Sequence, residues 1–417
     1  MGAPTCDGTA PNVLIIVNAS TTSYTGTCSA ADGTYSISGV TFTGDVSLTT
    51  YLNTNGGERG AVITKTPTTN ITGHNIYANR VITKHQDTLP LTIADMAKYD
   101  SSDDSDLRFI AATGTTDSFV VLSNTELHIA SSTTFAPGGT VTINANASGT
   151  SQDGSLHIDD LATFTGFGTT TYTIGGSITL DTGATFVPAS STVLMNATTT
   201  GKAITTATGV IFNVNELQFT GVGGGWNING TVSSTANINL ATGTVTGTGN
   251  ITLLNGSFYG NGLLSLGTGT TTINQTNTLG GTQGWTFANL VLGSGSVTGT
   301  TTPASSATTT ILSKLTISTG HFLSTGNSIW DLQGSGTVFV ESGTFIEATS
   351  TVRYSGTSGS NILSTNYYNL VTNALGGSPT YTATGLGIVV LNNLTVGGFG
   401  TTTTNFTTND PALDVNG

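Results

Sequence analysis

The sequence predicts an all-β fold, a parallel β-solenoid with coils of about 25 residues behind an elaborated N-terminal section. Three observations lead there. Charged side chains make up 7% of the 417 residues, against roughly a quarter in ordinary globular chains. The polar positions are filled instead by Thr, Ser, Asn and 56 glycines, residue types that favour strands and turns over helices. Apolar residues separated by a single position also return along the chain at a near-constant interval.

Composition also bounds function. Net charge is −13 with a pI near 4.4, and the nine basic residues are scattered, so no footprint for a phosphate backbone exists and no nucleic-acid partner is expected. No apolar run approaches the roughly 20 residues that cross a bilayer, so this chain is not expected to insert into a membrane. Met1 to Ser20 lacks a basic leader region, and the start reads as a mature secreted chain or a fragment. The two cysteines, Cys6 and Cys28, are spaced to close a disulfide loop worth about 3 kcal/mol in an oxidising compartment. Two unrelated buried thiols are the alternative.

Residues 1–117 differ from the rest. They hold six of the nine basic residues, the acidic stretch Asp100 to Asp106, and one predicted helix. In that helix Thr88 is the expected cap, Pro90 sits in the first turn, and Ile93, Met96 and Ala97 share a face. From residue 118 to 417 the pattern becomes uniform. Short apolar alternations such as Thr140-Val-Thr-Ile143 and Gly154-Ser-Leu-His-Ile158 are bounded by Gly, Ser, Asn and Thr clusters.

The repeat is carried by Val193/Met195, Leu217/Phe219, Ile238/Leu240, Leu264/Leu266, Leu290/Leu292, Leu315/Ile317, Val338/Val340, Leu370 with Thr372, and Leu394/Val396. A longer echo runs from Asp181-Thr-Gly-Ala-Thr-Phe186 and Ser191-Thr-Val193 to Glu341-Ser-Gly-Thr-Phe345 and Ser350-Thr-Val352. One such unit cannot bury its inward side chains alone. Stacking at the strand spacing of roughly 4.8 Å sets each inward Leu, Val or Ile over its counterpart and pairs the backbone of successive coils. A string of β-sandwiches, the competing architecture, calls for hairpin turns every 8 to 12 residues or so and for whole-domain repeats near 100. The short period favours coils, and Leu290 is expected to lie beside Leu266 or Leu315.

The segments Phe287-Ala-Asn-Leu-Val-Leu-Gly-Ser-Gly295, Leu312-Ser-Lys-Leu-Thr-Ile-Ser-Thr-Gly320, Tyr367-Tyr-Asn-Leu-Val-Thr-Asn373 and Leu391-Asn-Asn-Leu-Thr-Val-Gly-Gly398 resemble the repeats of large secreted bacterial β-strand-repeat surface proteins. These are similar in style to filamentous-haemagglutinin-like adhesins and autotransporter passengers. The resemblance covers roughly residues 118 to 417, and it implies a single-stranded right-handed parallel β-helix on the cell exterior.

Parallel β-helices also include polysaccharide lyases and hydrolases, so catalytic groups need a search. Asp159-Asp160 after a strand-like segment offers paired carboxylates for acid–base work or Ca²⁺, against a solvated turn. The basic partner a lyase needs is missing nearby, since only Lys202, Lys314 and Arg353 follow Arg108. Asp100, Asp103, Asp104 and Asp106 are the candidate Ca²⁺ ligands, without an EF-hand pattern, and a hydrated loop is the alternative. No other cofactor is expected. The histidines at 74, 85, 128, 157 and 321 show no linear metal spacing. Trp226 and Trp285, each after a glycine, are candidate sugar-stacking platforms if they face outward; otherwise they pack at a corner. An ice-binding Thr array is begun by Thr244-Val-Thr246 and Thr268-Gly-Thr270 but is broken at Leu292 and Ser294. The expected function is therefore structural or adhesive and without catalysis: an extracellular stalk, fibre or adhesin segment. Its partner would be a cell-surface glycan or protein, or further copies of itself. A carbohydrate-active β-helix is the main alternative.

Overall fold

A computed structural model describes residues 12–53, 58–66, 70–86, 89–146, 153–377, 379–384, 387–397, 405–408 and 412–415. The fold is a parallel β-solenoid of about 15 turns, with stacked coils about 22 residues apart. The chain divides into two compact units, residues 1–215 and 216–417.

The first unit opens with antiparallel strands. Val13–Val17 pairs with both Ser23–Gly26 and Val46–Leu52, and the latter pairs in turn with Ala61–Thr66. At Ala61–Thr66 the direction changes: Arg80–His85 runs parallel to it and begins a ladder continued by Glu126–Ile129, Leu156–Ile158, Ile178–Leu180 and Lys202–Thr206. A second ladder stacks Ser118–Val121, Thr140–Ile143, Thr171–Ile174 and Thr192–Met195, with Phe109–Ala112 antiparallel at its end. A third, short ladder holds Thr134–Phe135, Thr163–Thr165 and Thr185–Val187. Alternation decides which way each side chain faces: in Thr171–Ile174, Tyr172 and Ile174 are buried while Thr171 and Thr173 look outward.

One inward column of this unit is aromatic, beside the expected aliphatic stack of Leu127, Leu156, Ile178 and Ile204. Phe119, Phe135, Phe164, Phe186 and Phe212 follow one another with ring centroids 4.9–5.9 Å apart. Most of these contacts are edge-to-face, the arrangement the ring quadrupole favours.

The second unit has three ladders per coil. Glu216–Phe219, Ile238–Leu240, Phe258–Tyr259 and Asn277–Gly280 lead one of them. The other two, led by Gly225–Ile228 and Thr231–Ser234, fuse into the long strands Trp285–Leu292 and Thr308–Ile317, which bend at a bulge between Phe287 and Asn289. Leu290 lies over Leu315, as expected. Its partner on the preceding coil is Thr271, whereas Leu266 pairs with Gly247 on a different ladder.

That register explains why the sequence interval came out longer than the true coil. Ile238/Leu240, Leu264/Leu266 and Leu290/Leu292 sit on three different ladders, so following them in order steps around the coil as well as along it. Along a single ladder Leu217, Ile238, Phe258 and Leu279 are successive partners, 20 or 21 residues apart. The longer echo is a shared corner. Ala189 and Ala348 occupy equivalent places in it with left-handed φ of 51° and 43°. Ser191 and Ser350 close it by donating their hydroxyls to the carbonyls of Pro188 and Glu347.

The predicted helix is a single turn, Ile93–Met96, with Ile93 and Met96 buried. Its cap is Thr92 rather than Thr88, which lies outside the described residues. Thr92 and Asp95 form a reciprocal capping box, which satisfies the free N–H groups of so short a helix more completely than a distant Thr would.

Candidate functional site

The densest set of titratable groups lies on the outer side of the first unit's opening ladder. Two strands there carry the same tripeptide, Leu127-His-Ile129 and Leu156-His-Ile158. In each, the aliphatic residues face the core and the histidine faces outward, and the register places His157 opposite His128. The imidazoles meet edge-to-face with centroids 4.7 Å apart. Glu126, two residues before His128, projects from the same outer side and pairs in register with Arg80 on the preceding coil.

Glu126 organises the cluster from below. Its Oε1 forms an ion pair with the Arg80 Nε at 2.9 Å and faces Nδ1 of His128 at 3.4 Å and Nδ1 of His157 at 3.7 Å. The other nitrogen of each ring points away toward a second layer of carboxylates. Nε2 of His157 lies 2.8 Å from Asp181 Oδ2, and Nε2 of His128 lies 3.5 Å from Asp159 Oδ2. Asp159 and Asp181 follow the core residues Ile158 and Leu180 on adjacent coils, so the stacking itself brings their charges together.

Electrostatics follow from this layering. Burial alone would push the Glu126 carboxyl up, but the imidazoles of His128 and His157 and the Arg80 guanidinium bring it down to about 2. Burial likewise opposes charge on His157, yet Glu126 and Asp181 on either side raise it above the ordinary imidazole value. Asp159 is held below the usual carboxylate range: its own burial is outweighed by the Asp160 N–H, the Ser131 hydroxyl and the two imidazoles. One ligand atom each from Glu126, His128 and His157 lies within 4.8 Å of the others, and the same holds for His157, Asp159 and Asp181.

The residues singled out in the sequence fare differently. Asp159 joins the cluster, while Asp160 accepts from the Thr182 N–H at 3.0 Å on the next coil. The acidic stretch is turned onto its own backbone. Asp100 accepts from the N–H groups of Ser102 and Ala111, Asp103 from that of Asp100, and Asp104 from Asp106 N–H and the Tyr51 hydroxyl. Asp106 faces Arg59 at 3.6 Å. These four carboxylates hold a loop and are not gathered around one point.

Trp226 and Trp285 correct the sugar-stacking expectation. Both are 1% exposed, packed on Phe219 and Phe258 respectively, because each falls at an inward position of its strand. Neither offers a face to a ligand. Cys28 is buried, its Sγ accepting from the Asn12 amide and its N–H donating to the Asn12 Oδ1, whereas Cys6 lies outside the described residues.

No protein-family model, curated protein or solved structure matches the chain. The site must therefore be read from its own chemistry. Linear spacing missed it because His128 and His157 are a full coil apart. The repeated Leu-His-Ile tripeptide was the available signal: in a stacked fold, identical apolar-x-apolar triplets on neighbouring coils place their middle residues side by side.

Proposed function

We propose that the chain is a non-enzymatic structural or adhesive element of an extracellular surface, a stalk, fibre or adhesin segment. One observation carries this reading. Through six consecutive coils of the second unit, the outward ladder reads Ser233, Thr252, Thr272, Val291, Thr316 and Val340, without a charge. The residues beside them face inward as Val232, Ile251, Thr271, Leu290, Leu315 and Phe339. Hydroxyl groups keep such a ladder hydrated, and its uncharged, mostly β-branched side chains suit contact with neutral glycans or with another copy of itself. Parallel pairing along every coil leaves few free backbone groups for a protease to engage.

A carbohydrate-active β-helix has one observation in its favour, the gathering of Asp159 and Asp181 around His157. Against it, the tryptophans that would hold a sugar are in the core. Two assays decide. Antibody labelling of intact producing cells is expected to find the chain on the exterior, and incubation of the pure protein with a polysaccharide panel is expected to release no reducing sugar. Internal localisation or turnover of any polysaccharide overturns the proposal.

A further inference from the structure

We propose that His157, Asp159 and Asp181, with His128 beside them, form a binding site for a divalent transition metal of the Zn²⁺ type. The inference is independent of the mechanical role above. It starts from the two-layer arrangement of the cluster. Glu126, 5% exposed, faces Nδ1 of both imidazoles, and Arg80 fixes that carboxylate from the opposite side. A carboxylate facing Nδ1 can hold the proton that stays on that nitrogen once a cation takes Nε2, the usual support of a metal-bound histidine. Both Nε2 atoms are directed at the aspartates.

His128, 8% exposed, directs its Nε2 at Asp159 from 3.5 Å, so its ring flanks the trio. Charge points the same way. With neutral imidazoles, Arg80 cancels Glu126, and Asp159 and Asp181 leave two negative charges for a divalent cation to neutralise. A nitrogen donor with two carboxylates suits zinc-like ions better than Ca²⁺, which takes oxygen ligands. The aspartate side chains are 30% and 37% exposed, so an ion can enter from solvent.

The test uses the full chain after chelator treatment, titrated with Zn²⁺ and with Co²⁺ by calorimetry and visible absorption. About one ion per chain is expected, with Co²⁺ bands of a nitrogen- and oxygen-ligated centre and little response to Ca²⁺. His157→Gln and Asp181→Asn should each weaken binding by at least about tenfold, and Asp160→Asn should leave it unchanged. Should a variant fold poorly by circular dichroism, the wild-type imidazole nitrogen resonances report instead: Zn²⁺ must shift those of His128 and His157 and spare His74, His85 and His321. The proposal is overturned if the folded wild type takes up neither metal stoichiometrically, if Ca²⁺ binds in preference, if the variants bind like wild type, or if other histidines respond.

Discussion

His157 stands one coil above His128, edge-to-face at 4.7 Å, and both rings rest on the single carboxylate of Glu126. Because Glu126 is buried, its charge depends on Arg80, 2.9 Å away and itself buried. Removing one partner of such a pair leaves the other uncompensated.

Arg80→Met is therefore expected to lower unfolding stability by about 3 kcal/mol, while adding Glu126→Leu to it restores a large part of the loss. Denaturant melts of the single and double variants check this. A double variant no more stable than Arg80→Met would refute the account of the pair.

Leu290 sits between Thr271 and Leu315 with no exposed surface. Leu290→Ala should cost about 3 kcal/mol through lost burial and the cavity left behind. Leu312 belongs to the same sheet but faces outward. Its alanine variant should cost under about 1 kcal/mol. Equal losses at the two positions would contradict the inward column.

Corner glycines set how closely coils approach. A side chain on Gly269 would begin 1.8 Å from the Gly249 carbonyl oxygen, and one on Gly249 would begin 2.1 Å from that of Gly230. Gly269→Ala should thus cost more than about 2 kcal/mol by forcing neighbouring coils apart, and Gly114→Ala, with open space around it, should stay within about 0.5 kcal/mol. Thermal unfolding of both variants distinguishes them.

Acid should weaken the fold through His74. Burial, and secondarily the Lys84 charge, hold its imidazole down at about 4. The unfolded chain gains that proton near pH 6.5 and the folded chain only near 4, so stability falls as pH drops through this window, by about 3 kcal/mol in all. Buried His321, lowered by desolvation alone, acts in the same direction. Urea unfolding at pH 7 and pH 4.5 should show a smaller acid loss in His74→Gln than in wild type.

Much of the fold was legible in the sequence because a solenoid repeats one local problem. Alternation marked the inward residues of strands such as Thr140–Ile143, and Leu290 was matched correctly to Leu315. Ladder identity was not legible, since nothing in an apolar-x-apolar pair says which side of the coil it occupies. That is why Leu266 was placed next to Leu290 and the coil length overstated. For the same reason Trp226 and Trp285 could be read as outward: the glycine before each looks alike at a corner or within a strand, and only the register settles the direction. The histidine cluster escaped because its members meet through stacking rather than through proximity along the chain.

Neighbouring coils also differ in length without losing register. Val141 and Tyr172 are direct partners 31 residues apart, while Tyr172 and Val193 are partners at 21. The ladder advances by one rung in both cases although one interval is ten residues longer, so added chain between two rungs need not disturb the strands on either side of it.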